Sequence, residues 1–365
     1  MKNTFGESVS VTLFGESHGE TIGAVLDGLA PGVIADDAFI GLKLSQRRPQ
    51  GSVSTKRVEP DRFRIVSGVY NGKTTGAPIC IQIPNENVKS DDYTRLRELA
   101  RPGHADYTAR MKYHGFEDRR GGGHFSGRLT APLVAVGAIA ISALRARGIE
   151  IGTHVQKCAG ISDDGFGDLN KDIAYLNTQT FAVLNDAKKA EMIAAIEDAA
   201  QRKDSVGGVL ETAVIGVPAG VGEPWFDTLE GVLSHALFSI PAVKGVEFGA
   251  GFAIADMKGS EANDALRAEN GKVTAITNHN GGVNGGISNG MPIIFRCAVK
   301  PTPSIGISQK TVDLNSMENA EIEVAGRHDP SIVHRARAVV DSISALVLCD
   351  QLALRVGTDW LGGKA

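Results

Sequence analysis

The sequence lacks paired cysteines, membrane-length apolar runs and a secretion signal. Its four cysteines (Cys80, Cys158, Cys297 and Cys349) lie far apart and form no CxxC pair. This spacing argues against a zinc site and favours small core thiols in a reducing compartment. No apolar run approaches the ~20 residues that a membrane span requires, and the N-terminus has no signal-peptide apolar core or cleavage site. These absences predict a soluble, cytoplasmic protein.

The sequence also lacks an excess of positive charge, and aromatic residues are scarce. The net charge is -4 at pH 7 and aromatic residues make up 5% of the 365-residue chain, so the protein has no overall basic field that would attract nucleic acid. This composition disfavours one alternative, a non-catalytic RNA-binding role for RRGGGHFSGR (119–128). Glycine is abundant, with 44 residues, and many lie in short clusters where bare backbone can approach a ligand closely.

Hydrophobic periodicity predicts an α/β (α+β) protein. Residues 127–148 are apolar almost all round, which predicts a helix in the interior, whereas 86–120 is polar and irregular, as functional loops often are. Asp36 and Asp329-Pro330 are placed to start helices. Strands are predicted at 8–14, 22–27, 62–70, 77–83, 206–221 and 244–259, with a glycine turn between 62–70 and 77–83. Helices are predicted at 36–49, 127–148, 185–203, 225–240 and 327–355.

The two halves of the chain resemble each other in short stretches. IGAVLDGLAPGV (22–33) is similar to VGGVLETAVIGVPAGV (206–221), and SGVYNGKTTGAPICIQI (67–83) is similar to GGVNGGISNGMPIIFRCAV (281–299). No Pro- or Ser-rich linker separates the halves. The sequence therefore predicts one domain over residues 1–365, with two related, intertwined lobes and buried helices between sheets.

Polar clusters that could carry chemistry are spread along the chain. Four of the six combine glycine or proline with arginine, whose guanidinium fork matches carboxylate and phosphate groups. Several arginines on different loops predict a small substrate with more than one anionic group. No P-loop or GxGxxG dinucleotide motif is present, and no metal-binding motif is found. The clusters are GESHG (15–19), QRRPQG (46–51), RPGHADYT (101–108), RRGGGHFSGR (119–128), KPTPSI (300–305) and GRHDP (326–330).

Two histidines lie in glycine-containing loops and are candidates for proton transfer. His18 follows Ser17, and His104 is close to Asp106. The string GESHG also matches the G-x-S-x-G nucleophile elbow, so an esterase-like hydrolase built on Ser17 is a second hypothesis. An elbow requires a strand–turn–helix, however, and ETIGAVLDGLAPG after Ser17 predicts another strand.

Taken together and in order, these motifs resemble the chorismate synthase family. VPAGVGEP and AVKGVEFG add to the resemblance, which extends from about residue 6 to about residue 355. It implies a β-α-β sandwich with an internal pseudo-twofold and a homotetramer. It also implies a lyase reaction, the 1,4-anti elimination of phosphate from 5-enolpyruvylshikimate 3-phosphate to give chorismate at the end of the shikimate pathway. The implied cofactor is reduced FMN, which intrinsic NADPH-dependent reduction or an external flavin reductase could supply.

The resemblance also implies roles for individual residues. His18 corresponds to the acid that protonates the departing phosphate, with Ser17 beside it at the substrate. His104 corresponds to the histidine that protonates reduced flavin near N1, and Asp329 to the carboxylate that assists proton removal through flavin N5. The implied substrate anion contacts are Arg47, Arg48, Arg101, Arg128, Arg327 and Arg335. The implied FMN contacts are His124, Phe125, Ser126, Pro241, Ala242, Gly285, Lys300, Pro301, Thr302, Pro303, Ser304 and Arg327.

The sequence departs from the family pattern in two places. The arginine loop often begins RRRPG and has another arginine about six residues later, but here Gln46 comes first and Ser52 to Ser54 occupy the later position, where Lys56 or Arg57 could compensate. In addition, GGGHFSGR replaces a more usual RSSAR, which puts His124 and Phe125 at the expected flavin wall. These changes bring individual contacts into question, but not the family.

Overall fold

Two five-stranded antiparallel sheets enclose a layer of helices in the computed structural model, which describes residues 2–49, 51, 53–54, 60–86, 98–269, 271–324 and 329–363. The helices are α1 (Asp37–Arg47), α2 (Asp106–Tyr113), α3 (Thr130–Arg145), α4 (Leu169–Thr178), α5 (Asp186–Gln201), α6 (Leu229–Ser239), α7 (Gly259–Ala262) and α8 (Val333–Val356).

The strands of the N-terminal half are β1 (Thr4–Phe5), β2 (Ser10–Gly15), β3 (Thr21–Asp27), β4 (Arg64–Ser67), β5 (Val69–Tyr70), β6 (Lys73–Thr74) and β7 (Ile79–Pro84). The later strands are β8 (Glu150–Cys158), β9 (Ile161–Ser162), β10 (Gly208–Ile215), β11 (Val243–Phe248), β12 (Leu266–Glu269), β13 (Lys272–Ala275), β14 (Val283–Asn284), β15 (Ile287–Ser288), β16 (Ile293–Val299), β17 (Gln309–Val312) and β18 (Asn319–Ile322). Short 3-10 turns cover Arg120–Phe125, Gly127–Leu129, Trp225–Asp227, Gly251–Asp256 and Thr358–Gly362.

The two sheets have equivalent topologies, as the similarity between the halves predicts. The first sheet has the order β1-β2-β3-β7-β4, and the second has the order β11-β16-β10-β8-β9. In each half, two paired strands lead to a helix (α1 or α6), then to an edge strand (β4 or β11). A fourth strand (β7 or β16) then inserts between the second and third, and a core helix (α3 or α8) follows. The predicted sandwich with an internal pseudo-twofold is confirmed.

Helices α3 and α8 form the centre of the core. They pack against each other, with α3 also against β3 and β7 and α8 against β8 and β10. They cross so closely that a Cβ on Gly137 would lie 2.3 Å from the Cβ of Ser342. The stretch Gly127–Arg145 is apolar enough to cross a membrane, but 83% of its most apolar window is buried inside the protein. It is the interior helix that the sequence predicts, because only a buried helix needs to be apolar all round.

The outer face of the second sheet carries a ladder of alternating charges. His154, Glu211, Arg296 and Glu247 occupy directly paired positions on β8, β10, β16 and β11, and His154 also contacts Asp163 at 2.8 Å. Burial alone would lower the pKa of His154, but hydrogen bonds and charge attraction from Asp163 and Glu211 outweigh it and raise that pKa above 6.5. The ladder links four strands, and its His154 and Glu211 members are buried.

Several predicted elements differ from the structure. α2 lies within 86–120, where only a loop was predicted, and residues 87–97 fall outside the described part. The sequence did not predict α4, since its ten residues bury only Ile173 and Leu176. The expected strand over 244–259 ends at Phe248, because Gly249 and Gly251 adopt positive φ. The last helix begins at Val333, after the Asp329-Pro330 signal.

Candidate active site

His18 is held in the turn that follows β2. Its Nδ1 lies 3.0 Å from the Ser17 hydroxyl, and that hydroxyl lies 3.0 Å from the Arg120 carbonyl, to which it donates. A hydroxyl has one hydrogen, so Ser17 accepts from His18 Nδ1–H, and this contact fixes the orientation of the ring. Both residues are buried. The chain then enters strand β3, so the strand–turn–helix of a nucleophile elbow is not formed here.

Three consecutive glycines pack against both candidate histidines. Gly121, Gly122 and Gly123 all have positive φ, at 59°, 88° and 52°, a region where other residues are strained. A Cβ at Gly121 would lie 2.0 Å from His18 Cε1, and a Cβ at Gly122 would lie 3.2 Å from His104 Cε1. The glycine run therefore lies against both His18 and His104. This contact is long-range, because Arg120, just before the run, comes 103 positions after Ser17 in the sequence.

His104 belongs to a tight group with Arg101 and Asp106. Its Nδ1 lies 2.7 Å from Asp106 Oδ1, and Arg101 donates to the same carboxylate from Nε (2.8 Å) and Nη2 (2.7 Å). Burial alone would raise the pKa of Asp106, but the hydrogen bonds from Arg101 and His104 outweigh it and hold that pKa far below 3.8. Asp106 is thus ionised and fixes the orientation of both partners.

A second group places three of the predicted arginines on one buried carboxylate. Arg47 Nη1 lies 3.5 Å and Arg48 Nε 3.3 Å from Asp61 Oδ2, and Arg128 contacts Asp61 Oδ1. Asn85 links this group to the His18 turn: its Oδ1 accepts from Arg128 Nε at 3.3 Å, and its Nδ2 donates to the carbonyls of Glu16 and Gly19. The arginine cluster and the histidine turn are therefore parts of one network.

Asp329 and Arg335 extend the network along α8. Arg335 Nη1 pairs with Asp329 Oδ2 at 2.6 Å, and Arg335 Nε donates to the Arg47 carbonyl at 2.8 Å. Thr302 Oγ1 donates to the Asp329 carbonyl at 2.6 Å. These contacts attach the segment 300–304 to the arginine cluster. Arg327 lies outside the described residues.

The segment 300–304 also joins the Pro241-Ala242 turn and the His104 loop. The backbone N–H of Lys300 donates to the Ala242 carbonyl at 2.9 Å, and Lys300 Nζ donates to the Gly103 carbonyl. A Cβ on Gly103 would lie 3.4 Å from Pro303 Cβ. Of the neighbouring predicted contacts, Pro301 is exposed and Ser304 is half-buried.

The positions that depart from the family pattern have local partners. His124 Nδ1 lies 2.8 Å from the Gly15 carbonyl, while Phe125 packs edge-on against Tyr113 and Ser126 Oγ accepts from the backbone N–H of Arg128 at 3.3 Å. His124 therefore helps to hold the His18 turn.

In the arginine loop, Gln46 Nε2 donates to the carbonyl of Asn177, in the last turn of α4, at 2.8 Å. Ser54 Oγ lies 3.0 Å from His334 Nε2. Burial lowers the pKa of His334 to about 3, so this ring is neutral. Ser52, Lys56 and Arg57 lie outside the described residues, so their expected roles stay predictions.

Gly285, one of the predicted cofactor contacts, has no contact with this network among the described residues. Gly285 lies in the β14–β15 hairpin, and the Gly286 carbonyl caps the start of α6 by accepting from the Leu229 N–H at 2.8 Å. The same region contacts Arg355 through Gly220, at the end of α8 opposite Arg335. A helix of 24 residues is about 36 Å long. The assignment of Gly285 therefore remains a prediction without a contact to support it.

Sequence reasoning missed two residues that organise the site, Asp61 and Asn85. Both bring distant segments together through contacts that local patterns do not show. A usable signal existed for Asp61, because clustered arginines need a counter-charge when they are buried. Asp106 was noticed only as a neighbour of His104.

The chain is similar to known proteins over nearly its whole length. The family model described as chorismate synthase matches residues 9–353. The chain is 46% identical to a chorismate synthase of Dehalococcoides mccartyi, covering 98% of both chains. It is 45% identical to one of Pyrococcus abyssi, covering 96% and 97%. A crystal structure of chorismate synthase superimposes with a TM-score of 0.76 at 29% identity, covering 96% and 94% of the two chains.

Proposed function

Because the chain belongs to the chorismate synthase family and carries out its lyase reaction in the shikimate pathway, we propose which of its residues bind the substrate and move protons. The reaction eliminates phosphate and a ring hydrogen from 5-enolpyruvylshikimate 3-phosphate. The observation that carries the proposal is the glycine run that packs against His18 and His104 next to the arginine cluster. A proton donor must lie beside the phosphate that leaves. The contact of His18 with the glycine run next to the arginine cluster supports such a placement.

The arginines bind the anionic groups of the substrate. The substrate has two carboxylates and a phosphate, and Arg47, Arg48, Arg101, Arg128 and Arg335 are joined by the contacts described above. Guanidinium groups hold such anions through paired N–H donors. Their positive charge also stabilises the negative charge that grows on the phosphate as its C–O bond breaks. Arg327 is proposed to join them.

His18 donates a proton to the departing phosphate from Nε2. Ser17 supports this role because it accepts from Nδ1 and fixes the ring. His104, whose ring packs against Gly122, is proposed to hold the second proton, with Asp106 orienting its ring. Asp329 is the carboxylate proposed to assist removal of the ring proton, and Arg335 keeps it in place.

The residues present fit reduced FMN. Gly121 packs against His18 and Gly122 against His104, so the run brings the two proposed proton donors to one place. Lys300 and Ser304 supply the ammonium and hydroxyl donors that a phosphate ester requires, and the Pro241-Ala242 turn adjoins Lys300. Thr302 is kept as a proposed contact, and its hydroxyl donates to the Asp329 carbonyl. When bound, reduced FMN supplies transient electron density to the substrate ring. His124, Phe125, Ser126, Pro301 and Pro303 belong to the same two segments and are also proposed as FMN contacts, and Gly285 is kept as a proposed contact.

We also propose the domain organisation, the oligomeric state, the compartment and the source of reduced flavin from the family to which the chain belongs. We expect residues 1–365 to act as one domain, since α3 and α8 from the two halves share one core. We also expect a homotetramer in the cytoplasm. Reduced flavin would come from NADPH, through the protein itself or an external reductase. Light scattering tests the oligomer, and anaerobic flavin reduction by NADPH tests the source.

The function is tested by anaerobic turnover. Purified protein with 5-enolpyruvylshikimate 3-phosphate and chemically reduced FMN should release equal amounts of phosphate and chorismate, and oxidised FMN should give neither. His18→Gln should lower turnover by about 10²- to 10⁴-fold while FMN affinity is retained. His235→Gln, an exposed histidine on α6, is the matched control. Absence of chorismate with both reduced FMN and an NADPH-dependent reductase would overturn the proposal.

A further inference from the structure

The side chain of Asn85 bridges the two ends of the turn that carries His18. This turn runs from Glu16 to Gly19 and is closed by a hydrogen bond from the Gly19 N–H to the Glu16 carbonyl at 3.1 Å. Asn85 Nδ2 donates to the same Glu16 carbonyl at 3.0 Å and to the Gly19 carbonyl at 2.9 Å. The two amide hydrogens therefore join the first and last residues of the turn, and Ser17 and His18 lie between them.

The backbone of Asn85 determines where its amide can reach. Asn85 directly follows β7, whose last residue, Pro84, pairs with Thr21 at the start of β3. The Asn85 N–H continues this pairing by donating to the Glu20 carbonyl at 3.1 Å. Because β3 begins just after the His18 turn, the pairing of β7 with β3 holds the amide beside that turn.

The amide oxygen of Asn85 makes a different contact. Oδ1 accepts from Arg128 Nε at 3.3 Å. The opposite orientation of the amide would direct its oxygen at two carbonyls and its N–H groups at a guanidinium, and neither arrangement forms a hydrogen bond. The partners therefore determine the orientation of the amide, which lies between the His18 turn and the Arg128 guanidinium.

We propose that Asn85 is a positioning residue that holds the His18 turn in a fixed position relative to Arg128. The proposal rests on the proposed function, in which His18 protonates the departing phosphate and Arg128 binds a substrate anion. The proton donor and the anion-binding group must keep their distance while the C–O bond breaks. Because a misplacement of about 1 Å can lower a rate by about 10²-fold, loss of the two amide donors should reduce kcat.

Asn85→Asp tests the proposal because it changes one side of the amide. Aspartate keeps an oxygen acceptor for Arg128 but presents a second oxygen, instead of NH₂, to the carbonyls of the turn. At saturating substrate, kcat for anaerobic chorismate formation should fall by at least about tenfold. The same substitution in a His18→Gln background should lower kcat by less than about threefold, because the two residues act through one turn. An unchanged kcat in Asn85→Asp, or an equal fall in both backgrounds, would overturn the proposal.

Asn185→Asp is the matched control for the chemical change. Asn185 is also half-buried, and its Oδ1 caps α5 while its Nδ2 donates to Asp164 at 3.0 Å. It belongs to no contact of the site described above, so its kcat should stay within about threefold of the unmodified protein. A fall in this control equal to that of Asn85→Asp would show a general effect of the substitution and overturn the proposal.

A measurement without turnover follows the His18 ring directly. In protein labelled with ¹³C at histidine Cε1, the NMR signal of His18 is the one that His18→Gln removes. Asn85→Ala, which adds no charge, should move this signal and its titration midpoint, and the signal of the exposed His235 should stay in place. An unmoved His18 signal would overturn the proposal.

Asn85→Ala also replaces Asn85→Asp in the kinetic comparison if the aspartate variant does not fold. Failure of both variants to fold would overturn the proposal, because it would show that Asn85 serves the fold as a whole. Failure of the proposed function would appear differently, as absent chorismate in the unmodified protein. The NMR comparison would still decide whether Asn85 positions the His18 ring.

Discussion

Replacing Gly121 by alanine is the most direct test of how the backbone positions His18. The new Cβ would lie 2.0 Å from His18 Cε1, 2.3 Å from Nδ1 and 2.8 Å from the Ser17 hydroxyl. The glycine run cannot withdraw easily, because Ser17 N–H donates to the Gly123 carbonyl at 3.1 Å and the Ser17 hydroxyl donates to the Arg120 carbonyl. The imidazole ring must therefore move instead.

The size of the effect follows from these distances. Real Cβ contacts essentially never fall below 3.0 Å, so the ring has to move by about 1 Å, and a misplacement of about 1 Å can lower a rate by about 10²-fold. That loss corresponds to about 2.7 kcal/mol in the activation free energy. The positive φ of alanine at this position adds about 1–2 kcal/mol of strain to the folded state.

Steady-state turnover and thermal unfolding separate these two effects. In Gly121→Ala, kcat for chorismate formation under anaerobic conditions should fall by about 10²-fold, with a smaller change in FMN affinity. Gly115→Ala is the control, since Gly115 also has positive φ (83°) but no atom lies within 4 Å of its Cβ position. It should lose stability and keep its turnover. Turnover of Gly121→Ala within threefold of the unmodified protein, or an equal loss in the control, would refute the reasoning.

Three further predictions concern buried charges. Asp106→Asn should lower kcat at least tenfold and shift its pH profile, because the ring of His104 loses the carboxylate that orients it; an unchanged profile would contradict this. The raised pKa of His154 contributes stability that is complete below pH 6.5 and is lost as pH rises through that pKa. His154→Gln should therefore flatten the fall in unfolding free energy at higher pH, measured by denaturant titration. Asp350 accepts the backbone N–H groups of residues 7–9, so Asp350→Ala should cost about 3 kcal/mol, and a loss below about 1 kcal/mol would contradict this.

Much of the site could be expected from the sequence because its parts are local motifs. Gly121–Gly123 and the Ser17-His18 pair are each continuous in sequence. Arginine side chains indicate an anionic ligand whatever their position in the chain. The parts of the site that the sequence could not predict also have a physical reason. Asp61 contacts Arg128 across 67 positions, and Asn85 joins two loops, so no local pattern reveals either of them.

The amino-acid sequence by itself determined the fold class, the buried helix α3 and the family of the chain, since hydrophobic period and ordered motifs are local properties. Only the tertiary structure decided which residues share a site. It placed Gly121 against His18 and Gly122 against His104. It also brought three arginines into contact with the Asp61 carboxylate. These contacts depend on how α1, α3 and the glycine run pack together, and long-range packing is not encoded in any single stretch of the chain.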